Sequence, residues 1–189
     1  MRKLAELTDE EAAKGSINER FLFSVIVARY QERLSRYIRR LGVFQKEEVE
    51  DILQDVFIKV YKNLQEFDDS LSFSSWIYRI THNETMSFFR KKSLRPYGHY
   101  VEDPEKTFLT LDSETNIEKE LDVKIEADEL AAALPKISKK YRDAVILRYF
   151  EEKSYQEISD ILRMPTGSVA TLLHRAKKAL QKELKHLTK

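Results

Sequence analysis

The stretch Ser154-Tyr155-Gln156-Glu157-Ile158-Ser159-Asp160-Ile161-Leu162-Arg163-Met164-Pro165-Thr166-Gly167-Ser168-Val169 decides the fold. Ser154 and Glu157 stand three apart, the spacing of a capping box, in which a hydroxyl and a carboxylate each satisfy the other residue's backbone N–H. The helix they open is short, with Ile158, Ile161 and Leu162 inward, and Arg163-Met164-Pro165-Thr166 reads as a turn. A second helix is predicted from about Gly167 to Leu187, with Val169, Leu172 or Leu173, Ala176 and Leu180 inward. Short helix, tight turn and longer basic helix form a helix-turn-helix pattern. The second helix of such a unit enters the DNA major groove with its first residues on base edges. Here those residues are Thr166, Ser168, Ala170 and Thr171, followed by His174, Arg175, Lys177 and Lys178. The turn position often holds Gly. Arg163 occupies it here, and a left-handed conformation at a non-Gly residue costs about 1–2 kcal/mol.

Upstream, Leu134-Pro135-Lys136-Ile137-Ser138-Lys139-Lys140-Tyr141-Arg142 opens another helix, which carries Ala144, Val145, Leu147 and Arg148. Charge separates this part of the chain from the rest. Residues 134–189 carry 13 basic and 6 acidic side chains, residues 93–133 carry 4 and 11, and residues 1–92 carry 16 and 15. A formal net charge of +1 therefore hides an acidic centre and a basic tail. The centre also holds Pro96, Gly98 and Pro104 with little helical periodicity before about Asn116, so it reads as a linker. The expected organisation is a helical domain over 1–95, an acidic linker over 96–128 and a helix-turn-helix domain over 129–189.

In the N-terminal half, Phe21, Val25, Ile26, Tyr30, Leu34, Tyr37, Ile38 and Leu41 fall at helical steps, and Gly42 is placed to end that helix. Arg29, Arg33, Arg36 and Arg40 share another face, which reads equally as a solvated surface or a nucleic-acid contact. A further helix is expected from about Lys46 to Phe67, with Val49, Ile52, Leu53, Val56, Phe57, Val60 and Leu64 on its apolar face. Asp51, Gln54, Asp55, Ile58 and Lys62 fall on the opposite side, a mixed stripe suited to a partner helix. After a break at Asp68 to Ser70 comes a helix reading Trp76-Ile77-Tyr78-Arg79-Ile80-Thr81-His82-Asn83 and ending Phe88-Phe89-Arg90-Lys91-Lys92. Aromatic side chains interleaved with cations and amides suit single-stranded nucleic acid, because bases stack on rings while cations track phosphates. Trp76 by itself reads as core.

Composition narrows the rest. The 189 residues include 4 Gly, 4 Pro and no Cys. Thiol chemistry and disulfides are excluded, and few turns are available for an all-β fold. No apolar run approaches transmembrane length, and Met1-Arg2-Lys3-Leu4-Ala5-Glu6-Leu7 lacks an apolar signal core, so a soluble, cytoplasmic, all-α protein without membrane insertion is expected. His82, His99, His174 and His186 have no metal-ligand spacing, and no Gly-rich phosphate loop, His-Glu-x-x-His or Gly-x-Ser-x-Gly occurs. Neither an enzyme nor a cofactor or metal protein is expected.

Two sets of strings in order resemble the extracytoplasmic-function sigma factors of bacterial RNA polymerase. The first set is Asp51-Ile52-Leu53-Gln54-Asp55-Val56-Phe57 followed by Phe73-Ser74-Ser75-Trp76-Ile77-Tyr78-Arg79-Ile80-Thr81-His82-Asn83. The second is Leu134-Pro135, Tyr155-Gln156-Glu157-Ile158-Ser159, and Gly167-Ser168-Val169 through His174-Arg175-Ala176 to Leu180. The resemblance implies two small helical domains joined by a linker. It implies that the chain binds core RNA polymerase and promoter DNA, directs promoter recognition, melting and initiation, and is held by an anti-sigma factor. It places polymerase binding on Asp51, Gln54, Asp55 and Ile58. It places −10 binding on Phe67, Asp68, Ser70, Phe73, Ser74, Trp76, Tyr78, Asn83, Arg90 and Lys91. It places −35 binding on Thr166, Ser168, Ala170, Thr171, His174, Arg175 and Lys178.

Two positions depart from the family's pattern. Ser87 stands where the family usually has Asp. Ala170 and Leu172 stand where its recognition helix usually carries Lys and Arg, which implies fewer phosphate contacts and a shallower salt dependence. A stand-alone helix-turn-helix regulator would leave the strings at Asp51–Phe57 and Trp76–Asn83 unexplained.

Overall fold

A computed structural model describes residues 6–68, 71–93, 130 and 133–187, with side chains described as far as 184. The expected acidic linker over 96–128 and the candidate residue Ser70 lie outside the described residues. The fold is all-α. The chain separates into two compact units, the first comprising residues 1–96 with 160–162 and the second the remainder. No helix among the described residues is long and apolar enough to cross a membrane.

The first unit holds α1 (Asp9–Asn18), α2 (Phe23–Arg40), α3 (Lys46–Lys62) and α4 (Phe73–Ser93). Thr8 caps α1 through a reciprocal box: the Glu11 N–H donates to Thr8 Oγ1 at 3.1 Å, and the Thr8 N–H donates to the Glu11 carboxylate at 2.9 Å. α1 buries only Ala12, Ala13 and Ser16, so it lies close against its neighbours. Its acidic first turn also ties the unit together. Asp9 accepts from Arg29 at 2.7 Å and from the Tyr30 hydroxyl, and Glu10 accepts the Phe73 N–H at 2.9 Å, satisfying an orphan donor of α4. Burial, reinforced by the Asp9 carboxylate, pushes the Tyr30 phenol well above its ordinary value.

α2 buries Ile26, Tyr30, Leu34, Tyr37 and Ile38, and α3 buries Val49, Ile52, Val56 and Val60. Both sets follow the predicted stripes. Gly42 ends α2 with φ at 111°, a left-handed conformation that glycine adopts without a Cβ clash. Two expected boundaries shift. Phe21 belongs to a 3-10 turn (Arg20–Leu22) and is 57% exposed, because the tighter turn rotates it away from the stripe that α2 buries. α3 stops at Lys62 rather than reaching Phe67, since Asn63 caps it and a 3-10 turn (Leu64–Glu66) follows.

The second unit begins with a 3-10 turn (Leu134–Lys136) and holds α5 (Lys139–Val145), α6 (Tyr155–Leu162) and α7 (Thr166–Leu187). α5 runs into one π-helical turn, Ile146–Phe150, so the expected single helix changes its pitch before ending. Val145, Ile146, Leu147, Ile158, Val169, Leu173, Ala176 and Leu180 are buried in its core. Of the two alternatives at 172 and 173, Leu173 is the inward one.

Candidate nucleic-acid interface

The capping box read from Ser154 and Glu157 is present. The Glu157 N–H donates to Ser154 Oγ at 3.2 Å, and the Ser154 N–H donates to the Glu157 carboxylate at 2.9 Å. Lys153, buried, adds an ion pair to Glu157 at 3.2 Å. Burial acts to raise the Glu157 pKa, but the Ser154 N–H and the Lys153 charge outweigh it and hold the carboxyl below its ordinary value. Arg163 closes α6 at φ 53°, ψ 53°, so the left-handed turn residue is Arg. The turn is tied down on both sides: the Met164 N–H donates to the Ser159 carbonyl at 3.1 Å, and Ser159 Oγ donates to the Met164 carbonyl at 2.5 Å.

α7 leaves this turn with Thr166, Ser168, Ala170, Thr171, His174, Arg175 and Lys178 all exposed, while Val169, Leu173, Ala176 and Leu180 are buried. The periodicity thus sorts every −35 candidate to the solvent side. One residue was not legible in the sequence as part of this surface. Gln156, exposed at the start of α6, accepts a hydrogen bond from Thr166 Oγ1 at 3.1 Å and couples the openings of the two helices.

On α3, Asp51, Gln54, Asp55 and Ile58 are exposed together, opposite the buried Ile52, Val56 and Val60. Ile58 is 43% exposed and Tyr61, three residues on, is 40% exposed, so Tyr61 joins the stripe between Ile58 and Lys62. Tyr61 is held by Phe23, ring centroids 5.0 Å apart. Below the stripe, Lys59 pairs with Glu84 at 2.6 Å and joins α3 to α4.

The −10 candidates divide. Asp68, Asn83, Arg90 and Lys91 are exposed, and Phe67 and Ser74 are half-buried. Phe73, Trp76 and Tyr78 are buried. The resemblance places −10 contacts on these three, and their rings leave little open face here for a base to stack on. Phe67, Phe73 and Trp76 instead pack mutually, with centroids 5.2–5.7 Å apart, and Tyr30 joins them edge-on at 5.7 Å from Phe73. Tyr78 packs at a tilt on Tyr37, centroids 5.1 Å apart, and the Tyr37 hydroxyl lies 3.0 Å from His82 Nδ1. These rings form the floor that carries the exposed residues. Arginines on α2 likewise have local duties. Arg29 pairs with Asp9, Arg36 pairs with Glu32, and Arg33 lies over the Tyr30 ring at 5.4 Å.

Residues 26–95 match the family model for sigma-70 region 2, and residues 127–180 match that for sigma-70 region 4. The chain is 32% identical over 182 residues to the ECF RNA polymerase sigma factor SigW of Bacillus subtilis, covering 87% of this chain and 90% of that protein. Among solved structures, CnrH in complex with the cytosolic domain of CnrY aligns with a TM-score of 0.68 at 21% identity, covering 94% of this chain and 97% of that one. The sigma factor RpoE of Bartonella quintana, in complex with the anti-sigma factor NepR, aligns with a TM-score of 0.61 at 21% identity, covering 86% and 96%. Both likenesses are of fold.

Proposed function

This chain belongs to the extracytoplasmic-function sigma factors, non-catalytic proteins that bind core RNA polymerase and direct promoter recognition, and we propose how its surfaces divide that work. The exposed stripe Asp51, Gln54, Asp55 and Ile58 docks on core polymerase. Asp68, Ser74, Asn83, Arg90 and Lys91, carried on the aromatic floor of α4, meet the −10 element and support melting. α7 reads the −35 element with Thr166, Ser168, Ala170 and Thr171 on bases and His174, Arg175 and Lys178 on the backbone.

The observation that carries this reading is the sorting of α7, where seven candidate side chains are exposed behind a closed helix-turn-helix turn and none is used in the core. The exposed acidic stripe on α3 supports the division, because Ile58 leaves apolar surface open among carboxylates. Regulation by a protein partner belongs to the same reading, since two sigma-like folds were solved holding one. The chain works in the cytoplasm, where core polymerase and promoters are.

Run-off transcription with purified core polymerase on genomic DNA, with start sites sequenced, tests the reading. It should yield a discrete set of starts sharing two upstream elements. A chain that binds duplex DNA alone, never binds core and yields no starts would overturn it.

A further inference from the structure

A groove of about 280 Å³ lies between α5 and α7. Lys140 and Tyr141 line it from α5, and Gly167, Ser168, Thr171 and Arg175 from α7. No acidic side chain lines it. Arg29, Arg36, Lys59, Lys92 and Lys153 are all engaged in ion pairs, whereas Lys140 and Arg175 make none among the described residues. Lys140 Nζ instead rests 5.2 Å from the Tyr141 ring centroid, which holds the ammonium near the groove without neutralising it.

Gly167 supplies an independent observation. A Cβ built there would meet nothing within 4 Å, and the backbone is not left-handed. Neither packing nor conformation requires glycine at this position. Bare backbone at the first turn of α7 does allow an anion to approach the helix N-terminus closely, where the peptide dipoles favour negative charge. Tyr141 adds a hydroxyl donor to the same lining, while the Thr171 hydroxyl donates to the Gly167 carbonyl at 3.1 Å.

We propose that this groove seats one phosphodiester of the promoter duplex, and that Lys140, on a helix outside the helix-turn-helix, is a DNA-contacting residue that sets how α7 enters the major groove. The inference rests on the assignment of α7 to the −35 element and adds a contact from a different helix. It also answers a deficit noted in the sequence. Ala170 and Leu172 leave the first two turns of α7 without a cation, and Lys140 brings one from the adjacent helix.

The test uses holoenzyme reconstituted from core polymerase and the full chain, binding a duplex with the −35 sequence found by start-site mapping, over a series of salt concentrations. Lys140→Ala should weaken binding by about threefold or more and lower the slope of log K against log salt by about 0.9, the loss of one phosphate contact. Lys140→Arg should restore both, and Lys136→Ala, an exposed lysine outside the groove, should change neither. Gly167→Ala should weaken binding while leaving the thermal midpoint unchanged or raised. A methylphosphonate scan should find one position whose neutralisation weakens wild type and leaves Lys140→Ala unaffected. If wild type distinguishes the −35 duplex from a scrambled one but Lys140→Ala keeps wild-type affinity and slope, the groove proposal fails alone. If wild type does not distinguish them, the assignment of α7 fails with it.

Discussion

Thr166 Oγ1 donates a hydrogen bond to Gln156 Oε1 at 3.1 Å, joining the first residue of α7 to the second residue of α6. Both residues are exposed, so the bond contributes little to stability. Its consequence is geometric. It fixes the rotamer of Thr166, the first of the side chains proposed to face bases, relative to the helix that precedes it.

Gln156→Ala should therefore leave the thermal midpoint nearly unchanged, within about 0.5 kcal/mol for a surface site. It should reduce discrimination between the −35 element and a scrambled sequence by severalfold. Holoenzyme binding to the two duplexes at one salt concentration measures that ratio. An unchanged ratio would show that Thr166 is held without Gln156.

Asp55 lies on the exposed side of α3, and its removal opens no cavity. Asp55→Lys reverses a charge in the middle of the docking stripe and should weaken core polymerase binding by about tenfold, or about 1.4 kcal/mol. Titration of labelled chain with core polymerase reads this directly. Full affinity in the variant would remove this face of α3 from the docking surface.

Trp76 is 6% exposed and packs against Phe67 and Phe73. Trp76→Ala should destabilise the first unit by about 3–5 kcal/mol, the usual cost of truncating a buried aromatic residue. Closed and open promoter complexes should then fall together. Asn83 is exposed, so Asn83→Ala should leave the melting temperature unchanged and lower only open-complex formation. Thermal melts paired with permanganate footprinting separate the two. Normal folding of Trp76→Ala with selective loss of melting would return Trp76 to direct contact with DNA.

The helices of both units were legible because their large apolar residues recur at helical steps. Ile26, Tyr30, Leu34 and Tyr37 announce α2, and Ile158 and Ile161 announce α6. α1 escaped because what it buries is Ala12, Ala13 and Ser16, which carry almost no apolar signal. Its one available sign was Thr8 with Glu11, a second capping box. The exposure of the polar stripe on α3 and of one face of α7 was legible because exposure follows from angle on a long helix. The burial of Phe73 and Tyr78 was not legible because α4 buries Ser75, Trp76, Ile77 and Tyr78 in succession, and there the angle no longer separates core from surface. The groove beside Lys140 could not be read at all. The run Lys139-Lys140 gives no sign of which lysine faces α7, since that depends on how two helices pack.

Asp143 is buried in the second unit, and burial raises its carboxyl to about 6 against the pull of Lys139 and Arg142. A raised folded-state value means that the native unit holds the proton more tightly than the unfolded chain. The associated stability is present below about pH 4 and is lost as pH rises through 6, amounting to about 3 kcal/mol at 1.36 kcal/mol per unit. Asp143→Asn should flatten the dependence between pH 4.5 and 7.5. Chemical denaturation of the full chain at those two pH values measures it. A wild-type unit equally stable at both, and unaltered by Asp143→Asn, would show that the carboxyl stays charged throughout.

Arg163 sits at φ 53°, ψ 53° in the turn between α6 and α7, where glycine is free of the Cβ clash that a non-Gly residue meets. Arg163 is exposed and its side chain packs into no core, so Arg163→Gly removes strain without leaving a cavity. The release is partly offset by the greater freedom of glycine in the unfolded chain. A net gain of about 0.5–1 kcal/mol is expected. The backbone bonds around Ser159 and Met164 already fix the turn, so the orientation of α7 should not change. Holoenzyme affinity for the −35 duplex should then stay within about twofold of wild type, the loss of a single distant charge at most. Denaturation midpoints and promoter affinity measured on the same preparation decide the matter. A destabilised variant would show that the Arg163 side chain, rather than its backbone conformation, holds the turn.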